Sequence, residues 1–203
     1  MKYVNKTVLA VAMALSVNTV MAAEAQTDSL QYYALIGVGQ AESENACKGQ
    51  SQANSLLAPY GVSISCDDKD TSWKIGGGIQ FNKYIAAELE YHDYGRAEVK
   101  ALGSKGGYDT HSFGVHILPH LPITEELSAF VRVGFVRAGM KGTGLIDGSE
   151  YTTTSSYGIG AKYDINSQFA VRLEYSEIRN IGSDDKMGED DLSYIGVSGL
   201  YKF

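Results

Sequence analysis

The stretch FAVRLEYSEI, residues 169–178, alternates apolar and polar side chains. One face carries Phe169, Val171, Leu173 and Tyr175. The other face carries Arg172, Glu174 and Ser176. Because successive side chains of a strand point to opposite sides, this period of two predicts a β-strand. One face of that strand must meet apolar surroundings, and the other must meet water or ionic partners.

The same alternation recurs along the chain and predicts eight strands of roughly ten residues each. They lie at 31–41, 71–81, 85–95, 108–118, 127–140, 153–163, 169–178 and 192–203. A tilted strand needs about nine to eleven residues to cross a membrane, so each predicted strand is long enough. Beyond the first residues, no apolar run approaches the length of about 18 that a transmembrane helix requires.

The connections between these strands alternate between short and long. The short ones lie at 82–84, 119–126 and 164–168, and the longer, polar ones lie at 42–70, 97–107, 141–151 and 179–190. Strict alternation is typical of an up-and-down barrel with short periplasmic turns and longer outer loops. The predicted fold is therefore all-β, an eight-stranded antiparallel up-and-down transmembrane β-barrel.

Alternation alone does not decide which face is outside, because a soluble barrel of the lipocalin type turns its apolar face inward. The sequence contains 14 tyrosines and 23 glycines but only 3 prolines. Aromatic residues near strand ends favour the membrane barrel, which carries aromatic girdles at both interfaces. The girdle candidates are Tyr84, Tyr91, Tyr163, Tyr175, Tyr201 and Phe203.

The first residues are typical of an export signal. A positively charged start precedes an apolar run at 8–17, and small residues follow at Ala22 and Ala25. The apolar run is too short for a membrane anchor, since a bilayer core is ~30 Å thick. We expect a signal peptide at 1–22, with cleavage as late as Ala25, and a barrel domain at 27–203 in the bacterial outer membrane.

The two cysteines, Cys47 and Cys66, lie in the first long loop. In an exported chain an even cysteine count predicts a disulfide, which would stabilise this loop by about 3 kcal/mol. No histidine or further cysteine lies beside them, so we expect neither a metal site nor a cofactor. The net charge of −7 argues against a nucleic-acid partner.

The chain ends on an alternating strand whose last residues include Tyr201 and Phe203. This ending resembles the C-terminal signal by which the barrel insertion machinery recognises outer-membrane proteins. The insertion machinery is therefore an expected partner of the chain.

Further segments occur in an order that points to one family. They are 76–84 (GGGIQFNKY), Glu88, Tyr91, 95–96 (GR), 122–127 (PITEEL), 172–175 (RLEY), 180–182 (NIG) and 192–203 (LSYIGVSGLYKF). From about residue 31 to its end, the chain resembles the OmpA-like transmembrane domain family. Many members continue into a periplasmic domain that binds peptidoglycan. Since the sequence stops at Phe203, we expect a stand-alone barrel similar to the smaller, OmpX-like members.

The resemblance implies that the polar face points into the lumen. The lumen would then hold Lys74, Glu88, Glu90, His92, His116, Arg132, Lys162, Arg172, Glu174 and Lys202. These charges must pair, because an unpaired buried charge is very costly. The family pairs a carboxylate on strand three with an arginine on strand seven, which here are Glu88 and Arg172. A second family pair falls on His116 and Lys162, so its partner exchange is not expected here.

Two functions remain open for the lumen, a satisfied polar plug or a narrow gated ion path. An enzyme is not expected, and we assign no catalytic residues. The sequence lacks the His-x-Ser arrangement of the barrel deacylases, and the paired acids at 67–68, 184–185 and 190–191 are expected to be solvated in loops.

The outer loops offer a third function, in adhesion or host interaction. The centre of the first loop, 56–62 (LLAPYGV), is unusually apolar. It either packs on itself under the disulfide or forms a surface for a host or cell partner within 42–70. The acidic stretch at 184–191 either binds divalent ions that bridge lipopolysaccharide or stays solvated. We expect a monomer that contacts outer-membrane lipid and lipopolysaccharide.

Overall fold

The structure of the protein is a computed structural model that describes residues 30–48, 50–101, 104–144, 148–182 and 190–203. The expected signal peptide lies outside these residues, as does most of the acidic stretch at 184–191.

The described residues form nine strands and one α-helix. The strands are β1 (Gln31–Ser43), β2 (Ile64–Asp67), β3 (Lys69–Asn82), β4 (Ile85–Ala101), β5 (Ser104–Pro122), β6 (Leu127–Gly144), β7 (Ser149–Asp164), β8 (Phe169–Ile181) and β9 (Asp190–Lys202). The helix α1 (Gln50–Leu57) and a 3-10 turn (Ala58–Tyr60) lie between β1 and β2. No helix in the described part of the chain has the length and hydropathy of a membrane span.

Eight of the strands close into an antiparallel barrel. β1 pairs with β3 on one side and with β9 on the other. From β3 to β9, each strand pairs with the next one along the chain. The pairing of β4 with β5 completes the ring. This confirms the predicted fold. The short β2 is an addition, since it pairs with the far end of β4 and belongs to the first loop.

The prediction of a loop at 97–107 is wrong. The β4–β5 ladder continues from Arg96 opposite Asp109 to Ala101 opposite Ser104. The predicted loop at 141–151 is also shorter, because β6 runs to Gly144 and β7 begins at Ser149. Beyond the membrane, a strand can be polar on both faces, so hydrophobic alternation no longer marks it. The barrel end that carries α1 and these extensions is called the outer end below.

The apolar face of the barrel points outward. Exposed apolar side chains occur on every barrel strand, among them Ile36, Ile75, Leu89, Val115, Phe135, Ile159, Leu173 and Val197. Aromatic side chains border this band at both ends. They include Trp73, Tyr91, Tyr151 and Tyr175 toward the outer end, and Tyr84, Tyr163, Phe169, Tyr201 and Phe203 toward the other. This arrangement is that of a membrane barrel and excludes the lipocalin-type alternative.

The lumen is filled in layers. Near the outer end, an apolar cluster closes the interior with Ala41, Tyr94, Val136, Ala138, Met140, Ile178, Ile181, Leu192 and Tyr194. A charged layer lies in the middle, and two smaller apolar clusters around Leu35 and Leu118 lie toward the periplasmic turns. An eight-stranded barrel is only wide enough for its own side chains, which explains this filling.

Candidate functional site

The structure brings Glu88 of β4 and Arg172 of β8 together across the lumen. Arg172 donates from Nη2 to Glu88 Oε1 at 2.6 Å and from Nη1 to Oε2 at 3.1 Å. Tyr33 donates to the same carboxylate at 2.6 Å, and the guanidinium lies 4.9 Å from the centroid of the Phe130 ring. The forked geometry matches a planar guanidinium to a planar carboxylate. A Cβ at Gly78 would overlap the Tyr33 ring, so a glycine is needed there.

A second group lies next to this pair and contains Arg132, Glu90, Glu174 and Lys74. Arg132 donates to Glu90 at 2.6 and 3.0 Å and to Glu174 at 3.0 Å. The Lys74 ammonium lies 3.2 Å from Glu90 and also donates to Glu174. All four side chains are buried. With the pair above, three cations face three carboxylates, so the buried charges balance.

His116 and His92 border the charged layer. Nη2 of Arg132 lies 3.0 Å from each ring nitrogen of His116. His92 stacks on Tyr94 with ring centroids 3.9 Å apart, and its Nδ1 lies 3.7 Å from Glu90 Oε1. Both rings therefore pack against the ion network.

The Nε2 atom of His92 lies 2.8 Å from the Ser72 hydroxyl, and its Nδ1 faces Glu90. Ser72, His92 and Glu90 are therefore arranged like the nucleophile, base and acid of a catalytic triad. However, Ser72 is fully buried and its hydroxyl donates to the Asp93 carbonyl at 2.6 Å. A substrate has no access to this hydroxyl, so the arrangement braces the lumen wall. The family resemblance implies lumen positions for Glu90 and His92, whereas Ser72 is not among the expected lumen residues.

Lys162 and Lys202 lie apart from the central network, toward the periplasmic turns. Lys162 donates to Gln80 at 3.2 Å and lies 3.4 Å from Asp164, while Lys202 donates to Asp164 at 2.8 Å. The expected lumen residues are thus divided between a central network and this smaller group.

The first loop is braced by a disulfide between Cys47 and Cys66, whose Cα atoms are 5.7 Å apart. The predicted disulfide is confirmed. Asn54 of α1 bonds both backbone groups of Ile64, accepting from its N–H at 2.7 Å and donating to its carbonyl at 2.9 Å. Gln50 donates to that carbonyl as well, at 2.9 Å. Helix α1 is therefore held against β2 by side chains and by a covalent bond.

Asp190 anchors the base of this loop to the barrel. Its carboxylate accepts from the Asn45 N–H at 2.9 Å, from the Tyr108 hydroxyl at 2.6 Å and from the Ser43 hydroxyl. The expectation that the acids at 190–191 lie solvated in a loop is wrong, because both belong to β9 and Asp190 is buried. Two of its donors, Ser43 and Asn45, lie at the end of β1 and in the adjoining loop, and the third, Tyr108, lies on β5, so Asp190 joins segments that are far apart in sequence.

The apolar centre of the first loop is only partly packed. Leu57 and Val62 are half-buried, but the side chains of Leu56 and Tyr60 are 75% and 80% exposed. Helix α1 has no buried residue. The self-packing interpretation therefore does not account for Leu56 and Tyr60.

Comparison with known proteins agrees with the closed barrel. The profile of a family described as the OmpA-like transmembrane domain matches residues 27–203. The chain belongs to the OmpA-like transmembrane domain family. Members of this family are outer-membrane barrels, and the outer membrane is the location of this protein.

Two curated relatives illustrate the match. Outer membrane protein A of Salmonella typhi is 32% identical over 140 residues, which cover 63% of this chain and 38% of that protein. Outer membrane protein A of Escherichia coli O157:H7 is 32% identical over 136 residues, with the same two shares. The match thus spans well under half the length of these relatives.

Among solved structures, the crystal structure of Neisserial surface protein A has a TM-score of 0.55 at 14% identity. The alignment covers 87% of this OmpA-like chain and 100% of that one. At this identity the likeness concerns the fold alone. Among the described residues, no group of three or more His, Cys, Asp or Glu side chains is placed to hold a metal ion.

Proposed function

We propose that this protein is a structural outer-membrane barrel whose first loop binds a partner on a host or neighbouring cell. The observation that carries the proposal is the exposure of Leu56 on α1 and of Tyr60 in the 3-10 turn that follows it, within a loop braced by the disulfide. Large apolar side chains grouped on a rigid protrusion are typical of an interaction surface.

Rigidity supports the proposal energetically. Binding costs free energy when a loop must be ordered, and a loop that is already held in shape avoids much of that cost. Here the disulfide, the contacts of Asn54 with Ile64 and the anchor at Asp190 hold the loop before any partner arrives. Tyrosine adds a large contact area and a hydroxyl that can bond to a partner.

An adhesion assay tests this proposal. Cells that display the wild type are compared with cells that display the double variant Leu56→Ser and Tyr60→Ser. We expect the double variant to lose most of the adhesion that the wild type confers, because the central apolar contacts of an interface carry most of its energy.

The matched control is Gln52→Ser, which alters an exposed polar residue of the same helix. Protease cleavage of the loop on intact cells verifies that each variant is displayed outward. Equal adhesion by the double variant, with display intact, would contradict the proposal and leave a purely structural barrel.

A further inference from the structure

The periplasmic end of the lumen holds two lysines that share one carboxylate. The ammonium of Lys202 lies 2.8 Å from Asp164 Oδ1, and that of Lys162 lies 3.4 Å from Oδ2 of the same residue. The side chains of Lys162 and Lys202 are only 7% and 10% exposed. Among the described residues, no other carboxylate, the chain terminus included, forms an ion pair with either lysine. Lys162, Lys202 and Asp164 are called the lysine site below.

The lysine site is short of one negative charge. In the central network three cations face three carboxylates, whereas here two ammonium groups face one. Lys162 also donates to the amide oxygen of Gln80 at 3.2 Å, but an amide supplies a dipole and no charge. Because a buried charge without a counter-charge is costly, this excess favours the binding of one further anion.

A third polar group borders the lysine site and has an unpaired atom. The hydroxyl of Ser128, whose residue is the ladder partner of Lys162, lies 3.4 Å from Nδ1 of His120. The Nε2 atom of this buried histidine has no hydrogen-bond partner among the described residues. When Nδ1 accepts from the Ser128 hydroxyl, Nε2 carries the proton and is a donor. A buried donor without a partner needs a ligand or a water molecule.

The surroundings of the site are dry on the lumen side and open toward the periplasm. Leu118 and Leu200 precede His120 and Lys202 by two residues on the same strand faces, and both belong to apolar clusters. These clusters form an apolar floor, which strengthens electrostatic attraction to an anion above it. On the other side, Asp164 is 25% exposed, so periplasmic water reaches the site.

We propose that the lysine site and Nε2 of His120 bind a single carboxylate group that is presented from the periplasm. One carboxylate carries the one negative charge that the site lacks, whereas a phosphate group at neutral pH carries ≈ −1.5 to −2. An ammonium has three donors, so each lysine can bond Asp164 and the incoming carboxylate together. The inference goes beyond the proposed function, because it concerns the end of the barrel opposite the first loop.

Two sources of such a carboxylate exist in the periplasm, a small free acid and the free end of a peptide chain. Both present the same group, and the narrow lumen admits it end-on, since an eight-stranded barrel has room for little beyond its own side chains. Acetate represents the first source, and N-acetyl-dialanine, which has a free C-terminal carboxylate, represents the second. The amide of N-acetyl-dialanine has nearly the same shape without the charge and is the matched ligand control.

NMR spectroscopy of the ¹⁵N-labelled barrel, refolded in uncharged maltoside micelles, tests the proposal. The barrel is titrated separately with acetate, N-acetyl-dialanine, its amide and inorganic phosphate. The variants are Lys162→Gln, Lys202→Gln and Asp164→Asn, and the control is Lys83→Gln, an exposed lysine in a turn at the same end. The heat-dependent gel shift of folded barrels verifies that each variant is folded.

We expect acetate to produce a saturable shift of the backbone amide signals of Lys162, Asp164 and Lys202, and the amide ligand to produce none. Each lysine variant is expected to bind acetate at least about fivefold more weakly, since a charge-assisted contact is lost. Asp164→Asn is expected to bind it several-fold more tightly, because the competing carboxylate charge is gone. A purely structural ion pair would not give this opposite change. Lys83→Gln is expected to bind like the wild type.

Binding of N-acetyl-dialanine together with acetate would support a chain end as the ligand, and binding of acetate alone would support a small free acid. Other results would overturn the proposal. They are the absence of a saturable shift with either acid in the wild type, an equal response to the amide, tighter binding of phosphate than of acetate, or an equal loss in Lys83→Gln. Weaker binding by Asp164→Asn would likewise contradict it.

Discussion

Arg172 offers the sharpest test at the scale of single residues. Arg172→Ala leaves the buried Glu88 carboxylate with Tyr33 as its remaining close donor. We expect the free energy of unfolding to fall by about 3–5 kcal/mol, the usual cost of stranding one partner of a buried ion pair. Urea unfolding of the barrel in lipid vesicles measures the change.

The control for this experiment is the double variant Glu88→Gln with Arg172→Gln, which removes both charges. It should recover part of the loss, because no uncompensated buried charge remains. An unfolding midpoint in Arg172→Ala equal to that of the wild type would show that the pair does not support the barrel.

At the scale of elements, the first loop depends on an anchor that belongs to β9. Asp190→Asn keeps the size of the side chain but weakens its bonds with Asn45, Tyr108 and Ser43. We expect the loop at 44–68 to be cleaved several-fold faster by a protease, since hydrogen bonds to a charged group contribute about 1.5–3 kcal/mol each.

Asp191→Asn is the matched control for the anchor, because Asp191 is adjacent, half-buried and bonded instead to the Asn180 N–H at 2.9 Å. Its loop should be cleaved at nearly the wild-type rate. Equal cleavage of the loop in wild type and Asp190→Asn would mean that the disulfide alone holds it.

For the molecule as a whole, the layered lumen predicts a closed barrel. Above the balanced charges, Met140, Ile178 and Leu192 belong to an apolar cluster that an ion would have to cross without water. We expect the refolded wild type to give no discrete conductance steps in a planar bilayer, with detergent alone as the blank. Reproducible steps above that blank would favour the gated ion path instead.

The fold was largely predictable because lipid-facing and lumen-facing residues alternate along each strand of a membrane barrel. The pattern at 169–178 puts Arg172 and Glu174 on one face and Leu173 on the other, and the family resemblance assigns the first face to the lumen, where the structure has it. The same signal failed at 97–107, since both faces of a strand outside the membrane meet water.

The lumen contacts were less predictable. The Glu88–Arg172 pairing came from the family resemblance, whereas the contacts of Lys74 with Glu174 and of Ser72 with His92 were not expected. Partners across a barrel are set by strand tilt and register, which shift every facing position together.

By itself, the sequence determined the number of barrel strands, their alternation, the disulfide and the set of charges that share one face of the sheet, because each depends on local period or on residue type. Only the tertiary structure decided which charges meet and that Asp190 is buried as an anchor. The reason is physical: closing the sheet brings together side chains that are tens of positions apart, and their meeting depends on the register of the whole ring.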